Sequence, residues 1–296
     1  MRGTLHLVAS EDVRWLLTLL GPLIDARDER RRMQFGLDAA VCEQGLALLR
    51  KALAGGPLTR HELRDRLRAR GPRLAATGQA TIHLLAHAAH RGLICNGPPQ
   101  GRSDTFVLLD DWAPHAAEPR GDEALTELAR RYLAAYGPAT VEDFGTWSGL
   151  SMGAARAGMT AIASELTELT AGSVALQSLR GAASAGKAAS GRPDEEVRLL
   201  PGWDTYTLGY RSRDWMLAGE HAHRFQREGV LSPTICVDGR LVGVWRIDNA
   251  RREVAIEIEP FDSPTSALSV GVDEEVSAIG RFRGRPVRWS FAGLVG

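Results

Sequence analysis

The chain has 296 residues, 44% of them apolar, with 36 basic and 36 acidic side chains. That length accommodates two or three compact domains with real cores, and the charge balance removes any argument from global charge. The apolar run Trp15 to Ile24 is too short for a membrane-spanning helix, no signal-peptide pattern precedes it, and Cys42, Cys95 and Cys236 form no C-x-x-C pair, so a membrane partner, a disulfide framework and a zinc ribbon are excluded in favour of lone core thiols in a reducing cytoplasm.

Residues 1 to 36 open on the β-prone Thr4-Leu5-His6-Leu7-Val8, after which Ser10-Glu11-Asp12 starts a helix carrying Val13, Leu16, Leu17 and Leu20 on one face. A repeat follows. Gly56-Pro57-Leu58-Thr59 with Glu62 and Gly137-Pro138-Ala139-Thr140 with Asp143 lie 81 residues apart, each stopping an amphipathic helix and restarting at a Thr whose hydroxyl caps the next, an acid three residues on reaching back. Helix-turn-helix units of this kind scaffold winged-helix modules, which makes nucleic acid the leading partner.

The first unit, residues 37–120, comprises a helix with Leu46, Leu49 and Leu53, the capped basic helix Thr59 to Arg70, a third helix Gln79 to Arg91, and a hairpin wing from Gly92 to Leu109. The second, residues 121–196, repeats that order and ends in an Ala/Gly/Ser stretch from Gly181 to Glu196, expected to be a linker or mobile wing tip. From Val197 the pattern turns β, with an Asp238-Gly239 hairpin turn and the alternation Val254-Ala255-Ile256-Glu257-Ile258-Glu259. The expected fold class is α+β, tandem winged-helix domains followed by a small β-rich C-terminal domain spanning 197–296.

Charge is polarised along the chain. Eight cations stand against two acids between Arg50 and Arg73, whereas seven acids stand against Arg251 and Arg252 between Arg251 and Val276. A GC-rich coding bias accounts for part of the arginine count, but guanidinium forks onto phosphate well regardless. Arg60, Arg64, Arg66, Arg68 and Arg70 either track a phosphate backbone or make an ordinary solvated helix face. In the third helix, Ile82, Leu85, Ala86 and Ala89 are expected inside, leaving Gln79, His83, His87, His90 and Arg91 toward DNA. The spacing of His83, His87 and His90 also permits a metal site, but no nearby Cys or acid completes a shell, so neither metal nor cofactor is expected. With the wing around Gly97 to Arg102, the expected DNA contacts are Arg60, Arg64, Arg68, Gln79, His83, Arg91 and Arg102.

Trp203, Trp215, Trp245 and Trp289 offer base stacking, although core or hairpin packing is the simpler role for any one of them. Asp204, beside Tyr206 and Tyr210, suits either a general acid or a structural hydrogen-bond acceptor. P-loop, G-x-G-x-x-G, G-x-S-x-G and H-E-x-x-H patterns are absent, and no catalytic residue is assigned.

Arg2-Gly3-Thr4-Leu5-His6-Leu7-Val8, Gly137-Pro138-Ala139-Thr140 with Asp143-Phe144 and Trp147-Ser148-Gly149-Leu150, the block Leu199 to Tyr210, and Pro233 to Trp245 together resemble the AlkZ-like (YcaQ-type) winged-helix DNA glycosylases over essentially the whole chain. The resemblance implies tandem winged helices and a β-rich domain forming a basic concave surface on double-stranded DNA, with excision of N-alkylated purines and unhooking of interstrand crosslinks. That family's catalytic Gln-apolar-Gln or Gln-apolar-Asp lies upstream of the Arg-Gly-Thr block. None of Gln34, Gln44, Gln79, Gln100, Gln177 and Gln226 has Gln or Asp two residues later. The chain is therefore expected to be a monomeric, truncated and catalytically incomplete member: residues 1–36 are the remnant of an N-terminal winged-helix unit plus a connecting helix, and Met1 is an internal methionine of a longer product. The alternatives are a shortened paralogue retained for binding and a winged-helix transcriptional regulator.

Overall fold

A computed structural model describes residues 4–71, 77–113, 119–182, 196–227, 229–248 and 253–292. The chain is mixed α+β and divides into two compact units, residues 1–132 with 148–164, and residues 133–147 with 165–296. The expected linker falls mainly on 183–195, and Arg73, Arg251 and Arg252 also lie outside the described residues.

In the first unit, α1 (Val13–Gln34) buries Trp15, Leu20 and Gly21. Gly21 is dictated by a close approach: a Cβ there would stand 2.3 Å from the His90 carbonyl oxygen. Asp38 accepts from the Val41 N–H at 2.9 Å and starts α2 (Ala39–Leu53), whose Leu49 and Leu53 are fully buried. The short β1 (Leu58–Thr59) leads into α3 (Arg60–Arg68), and Thr59 with Glu62 forms a complete capping box. After α4 (Gly78–His90), β2 (Ile94–Asn96) and β3 (Thr105–Leu108) make a hairpin, with β1 on its other edge in the order β1-β3-β2. Leu49, Leu53, Leu63, Leu67, Leu84 and Ile94 join one core. The chain continues through α5 (Leu109–Trp112) and most of α6 (Asp122–Tyr136), and the unit regains α8 (Met152–Ala161) after the excursion of α7 (Val141–Ser148).

Thr4 to Val8 forms no strand. A strand needs a partner for its backbone groups, none pairs with it among the described residues, and Leu5 and Leu7 are exposed.

The second unit contains residues 141–147 of α7, entered through the expected cap: Thr140 Oγ1 accepts from the Asp143 N–H at 3.0 Å while Asp143 Oδ2 accepts from the Thr140 N–H at 2.9 Å. A hairpin follows, β4 (Leu166–Ala171) with β5 (Val174–Leu179). Beyond β6 (Val197–Leu200) come α9 (Thr205–Leu208), α10 (Ala222–Phe225), β7 (Gln226–Arg227), β8 (Val230–Leu231), β9 (Thr234–Val237), β10 (Arg240–Asp248) and β11 (Val254–Pro260).

The main sheet has five strands in the order β12-β11-β10-β9-β6, with β12 (Val287–Phe291) parallel to β11 and the other neighbours antiparallel. The parallel step requires a crossover, supplied by α11 (Ser266–Arg283), whose Leu268, Val272 and Val276 pack on Val254, Ile256 and Ile258. This 18-residue helix makes the C-terminal region less purely β than its sequence suggests. Its Leu268, Val272 and Val276 are spaced i, i+4, i+8, a helical stripe overshadowed by the acids Asp273, Glu274 and Glu275.

Candidate nucleic-acid interface

The geometry of α3 divides its arginines. Leu63 and Leu67 face the core, one turn apart. Arg60, Arg64 and Arg68, spaced i, i+4, i+8, share one stripe beside that buried edge, whereas Arg66 lies on the other flank and donates to the Ala52 carbonyl at 3.2 Å. Arg60 and Arg68 are exposed and make no ion pair among the described residues. Arg64 is less available: its Nε lies 3.7 Å from Asp65 Oδ1, and its side chain keeps 35% exposure. Asp65 also sits 3.1 Å from His61 Nδ1, so one carboxylate tempers the outer edge of the stripe. Glu62 is occupied by the cap: hydrogen bonds from the Thr59 backbone and hydroxyl hold its carboxyl below the usual range.

Sheet pairing connects this stripe to the hairpin. Thr59, immediately before Arg60, is in register with Thr105 at the tip-side end of β3, and Arg102 is exposed in the hairpin tip beside Gly101, whose φ of 62° suits the turn. Arg60 and Arg102 therefore both lie at the tip-ward end of the hairpin. Gln79 is exposed in the first turn of α4, and Arg91, at that helix's C-terminal cap, lies 3.6 Å from Glu43.

The histidine stripe requires correction. Helix α4 buries Ala80, Thr81, Leu84, Leu85, His87 and Ala88, because α1 and α2 both pack against it; Ile82, expected inside, is 39% exposed. His87 is 5% exposed and its Nδ1 lies within hydrogen-bond distance, 2.6 Å, of Asp25 Oδ1. Asp25 also holds Arg32 at 2.8 Å, a cluster that the sequence signals only through the i, i+7 spacing of Asp25 and Arg32 along α1. His83 is half-buried and stacks on Phe35 at 4.9 Å between centroids. His90 is half-buried, and burial lowers its pKa. The outward side of α4 is thus Gln79 and Ile82, with His83 at its margin. Among the described residues no group of three His, Cys, Asp or Glu could hold a metal.

A cleft of about 700 Å³ opens between α1 and α4, lined among others by Arg14, Asp25, Glu29, Arg32, His90 and Arg91. Its charges are largely paired internally: Arg14 with Asp110 at 3.0 Å, and Arg32 with Asp25. That arrangement stiffens the contact between two helices and leaves no net cationic wall for a polyanion.

In the second unit Asp204 has a structural role, its Oδ1 accepting the Tyr206 N–H at 2.8 Å to cap α9. Tyr206 and Tyr210 are half-buried and donate to the carbonyls of Gly239 and Tyr136 at 2.7 and 2.9 Å; burial pushes the Tyr210 phenol up to about 12 and that of Tyr206 higher still, so both stay neutral donors. Trp245 is a core residue whose indole N–H donates to the Leu200 carbonyl at 2.8 Å, and Trp289 donates to Asp273. Trp203 and Trp215 are exposed at 51% and 48%. Cys42 and Cys236 are buried and Cys95 half-buried; desolvation raises all three thiols, which makes them poor nucleophiles.

The sequence model of the AlkZ-like DNA glycosylases matches residues 1–282. The interstrand DNA cross-link repair glycosylase of Streptomyces sahachiroi is 30% identical over 298 aligned residues, which cover 96% of this chain and 78% of that protein. The solved structure of Streptomyces sahachiroi DNA glycosylase AlkZ superposes with a TM-score of 0.75 at 29% identity, covering 98% of this chain and 80% of that one. Matched along nearly its whole length in sequence and in fold, the chain belongs to the AlkZ-like DNA glycosylase family.

Proposed function

We propose that this chain binds duplex DNA in the manner of a DNA-repair glycosylase, through tandem winged-helix modules, and that it excises little or no base. The observation that carries the binding is the arginine stripe of α3, Arg60, Arg64 and Arg68, rooted by β1–β3 pairing in a hairpin that carries Arg102 at its tip. A capped helix with guanidinium groups in line, next to a projecting hairpin, gives a duplex both a backbone track and a groove probe. Gln79, Ile82 and Arg91 of the α4 segment extend that surface, and His83 supports it from a half-buried place against Phe35.

Little excision is proposed on chemical grounds. Cleavage of a glycosidic bond needs a polar group that positions a water and stabilises an oxocarbenium-like sugar. No Gln here is followed two residues later by Gln or Asp, and Asp204 and Asp25 are both committed to structural hydrogen bonds. The relative from Streptomyces sahachiroi is named for interstrand cross-link repair, which points to cross-linked duplex as the substrate class.

The test is to incubate the purified chain with duplex bearing a single N7-alkylated guanine, following binding by fluorescence anisotropy and released base by chromatography. Binding with base release no faster than the protein-free control is the expected result. Turnover of the lesion would overturn the catalytic half of the proposal, and absence of binding at low salt would overturn the other half.

A further inference from the structure

Trp203 stands apart from the other tryptophans of the second unit. Its backbone φ is 64°, in the left-handed region that a bulky side chain rarely occupies, yet its indole is 51% exposed and makes no ring contact among the described residues. The strain is imposed from both sides. Upstream, the Leu200 carbonyl is held by the Trp245 indole, and Gly202 lies so close to β8 that a Cβ would stand 2.9 Å from the Leu231 carbonyl oxygen. Downstream, Asp204 caps α9 and donates its N–H to the Pro201 carbonyl at 3.3 Å, while the Tyr206 hydroxyl ties α9 to Gly239. The turn is fixed by its neighbours, and the one large side chain at its apex is turned to solvent. Trp215 differs: it lies edge-on to Tyr206 and Tyr210 at 5.8 and 5.0 Å and is stabilised by that packing.

A strained, over-determined residue whose side chain contributes little to its own core suits a contact made outside the molecule. Resting on the DNA-binding function proposed above, we propose that Trp203 stacks its indole on a nucleobase exposed by local unstacking, at or beside a lesion. An intact duplex covers both faces of its bases, whereas an unpaired or damaged step offers a flat π-surface that a rigid aromatic can meet without reading sequence.

The experiment compares wild type, Trp203→Ala, Trp203→Phe and Trp203→Gly on intact duplex, on the same duplex with one abasic site, and on single strand, by anisotropy over a range of salt. Trp203→Ala is expected to bind the abasic duplex and the single strand roughly 5- to 150-fold more weakly, the span of base–aromatic stacking. Its affinity for intact duplex and the slope of its salt dependence stay at wild-type values, because no phosphate contact is lost. Trp203→Phe recovers most of the affinity. Trp203→Gly, which relieves the left-handed backbone, loses affinity like the Ala variant without lowering Tm. If wild type binds DNA and the variants match it on every probe, or lose affinity equally on all probes together with a fall in Tm, Trp203 does not stack and DNA binding stands; if wild type binds none of the probes, both fall.

Discussion

Replacing Arg60, Arg64 and Arg68 together with Ala tests the surface on α3 at its electrostatic root. Each phosphate neutralised contributes about 0.9 to the slope of log K against log salt on B-form DNA. Arg60 and Arg68 are exposed and count fully, whereas Arg64, 3.7 Å from Asp65, counts in part. The slope should therefore flatten by roughly 1.8 to 2.7, so the affinity lost by wild type on a fourfold rise in salt shrinks by about 10- to 40-fold in the variant. The helix itself should survive: Leu63 and Leu67 remain buried, the Thr59–Glu62 capping box is untouched, and Ala is the better helix former. Arg66→Ala is the internal control, since that guanidinium is tied to the Ala52 carbonyl and its loss should leave the slope nearly unchanged. Anisotropy titrations at four or five salt concentrations, with circular dichroism to verify helix content, measure the difference. Parallel salt plots for wild type and the triple variant would refute the assignment of α3 to the phosphate backbone.

Two stability predictions concern the α1–α4 contact. Asp25→Ala leaves Arg32 and His87, 7% and 5% exposed, without their common carboxylate, and should cost about 3–5 kcal/mol, the usual penalty for breaking a buried charged pair. Thermal unfolding followed by circular dichroism should show Tm lower by roughly 6–20 °C, with Asp25→Asn intermediate because the amide keeps one acceptor; a fall within error would mean the cluster carries no load. His90 supplies a pH dependence. Burial lowers its pKa below the ordinary 6.5, so between the two values the unfolded chain binds the proton more readily than the folded one. Its contribution is complete above pH 6.5 and is lost as the pH falls through that value toward the folded pKa. The Tm of wild type should consequently drop more than that of His90→Gln on acidification across this window, and equal drops would contradict the burial of His90.

What was legible in the sequence follows the range of the interactions involved. The caps at Thr59 and Thr140 are local, encoded by a hydroxyl and an acid three residues apart, and both form where the spacing places them. The strand Val254 to Glu259 was equally readable, since alternation records which side of a sheet is covered. Helix α4 was not, because Ala at 80, 86, 88 and 89 fits either a core or a surface and cannot set the phase, and burial against two helices left only a narrow outward strip. A histidine stripe then looked solvated when its central member was in fact buried against α1 with its Nδ1 on Asp25. Trp203 marks the other limit. Pro201-Gly202 announces a turn, but the turn that holds the left-handed φ is also fixed by contacts far along the chain, at the Leu231 and Gly239 carbonyls, which no window around residue 203 contains. Side chains whose position is set by distant backbone are the ones a sequence hides, and they include the two features with the most specific consequences here: the carboxylate that anchors α4, and the indole held out from an over-constrained turn.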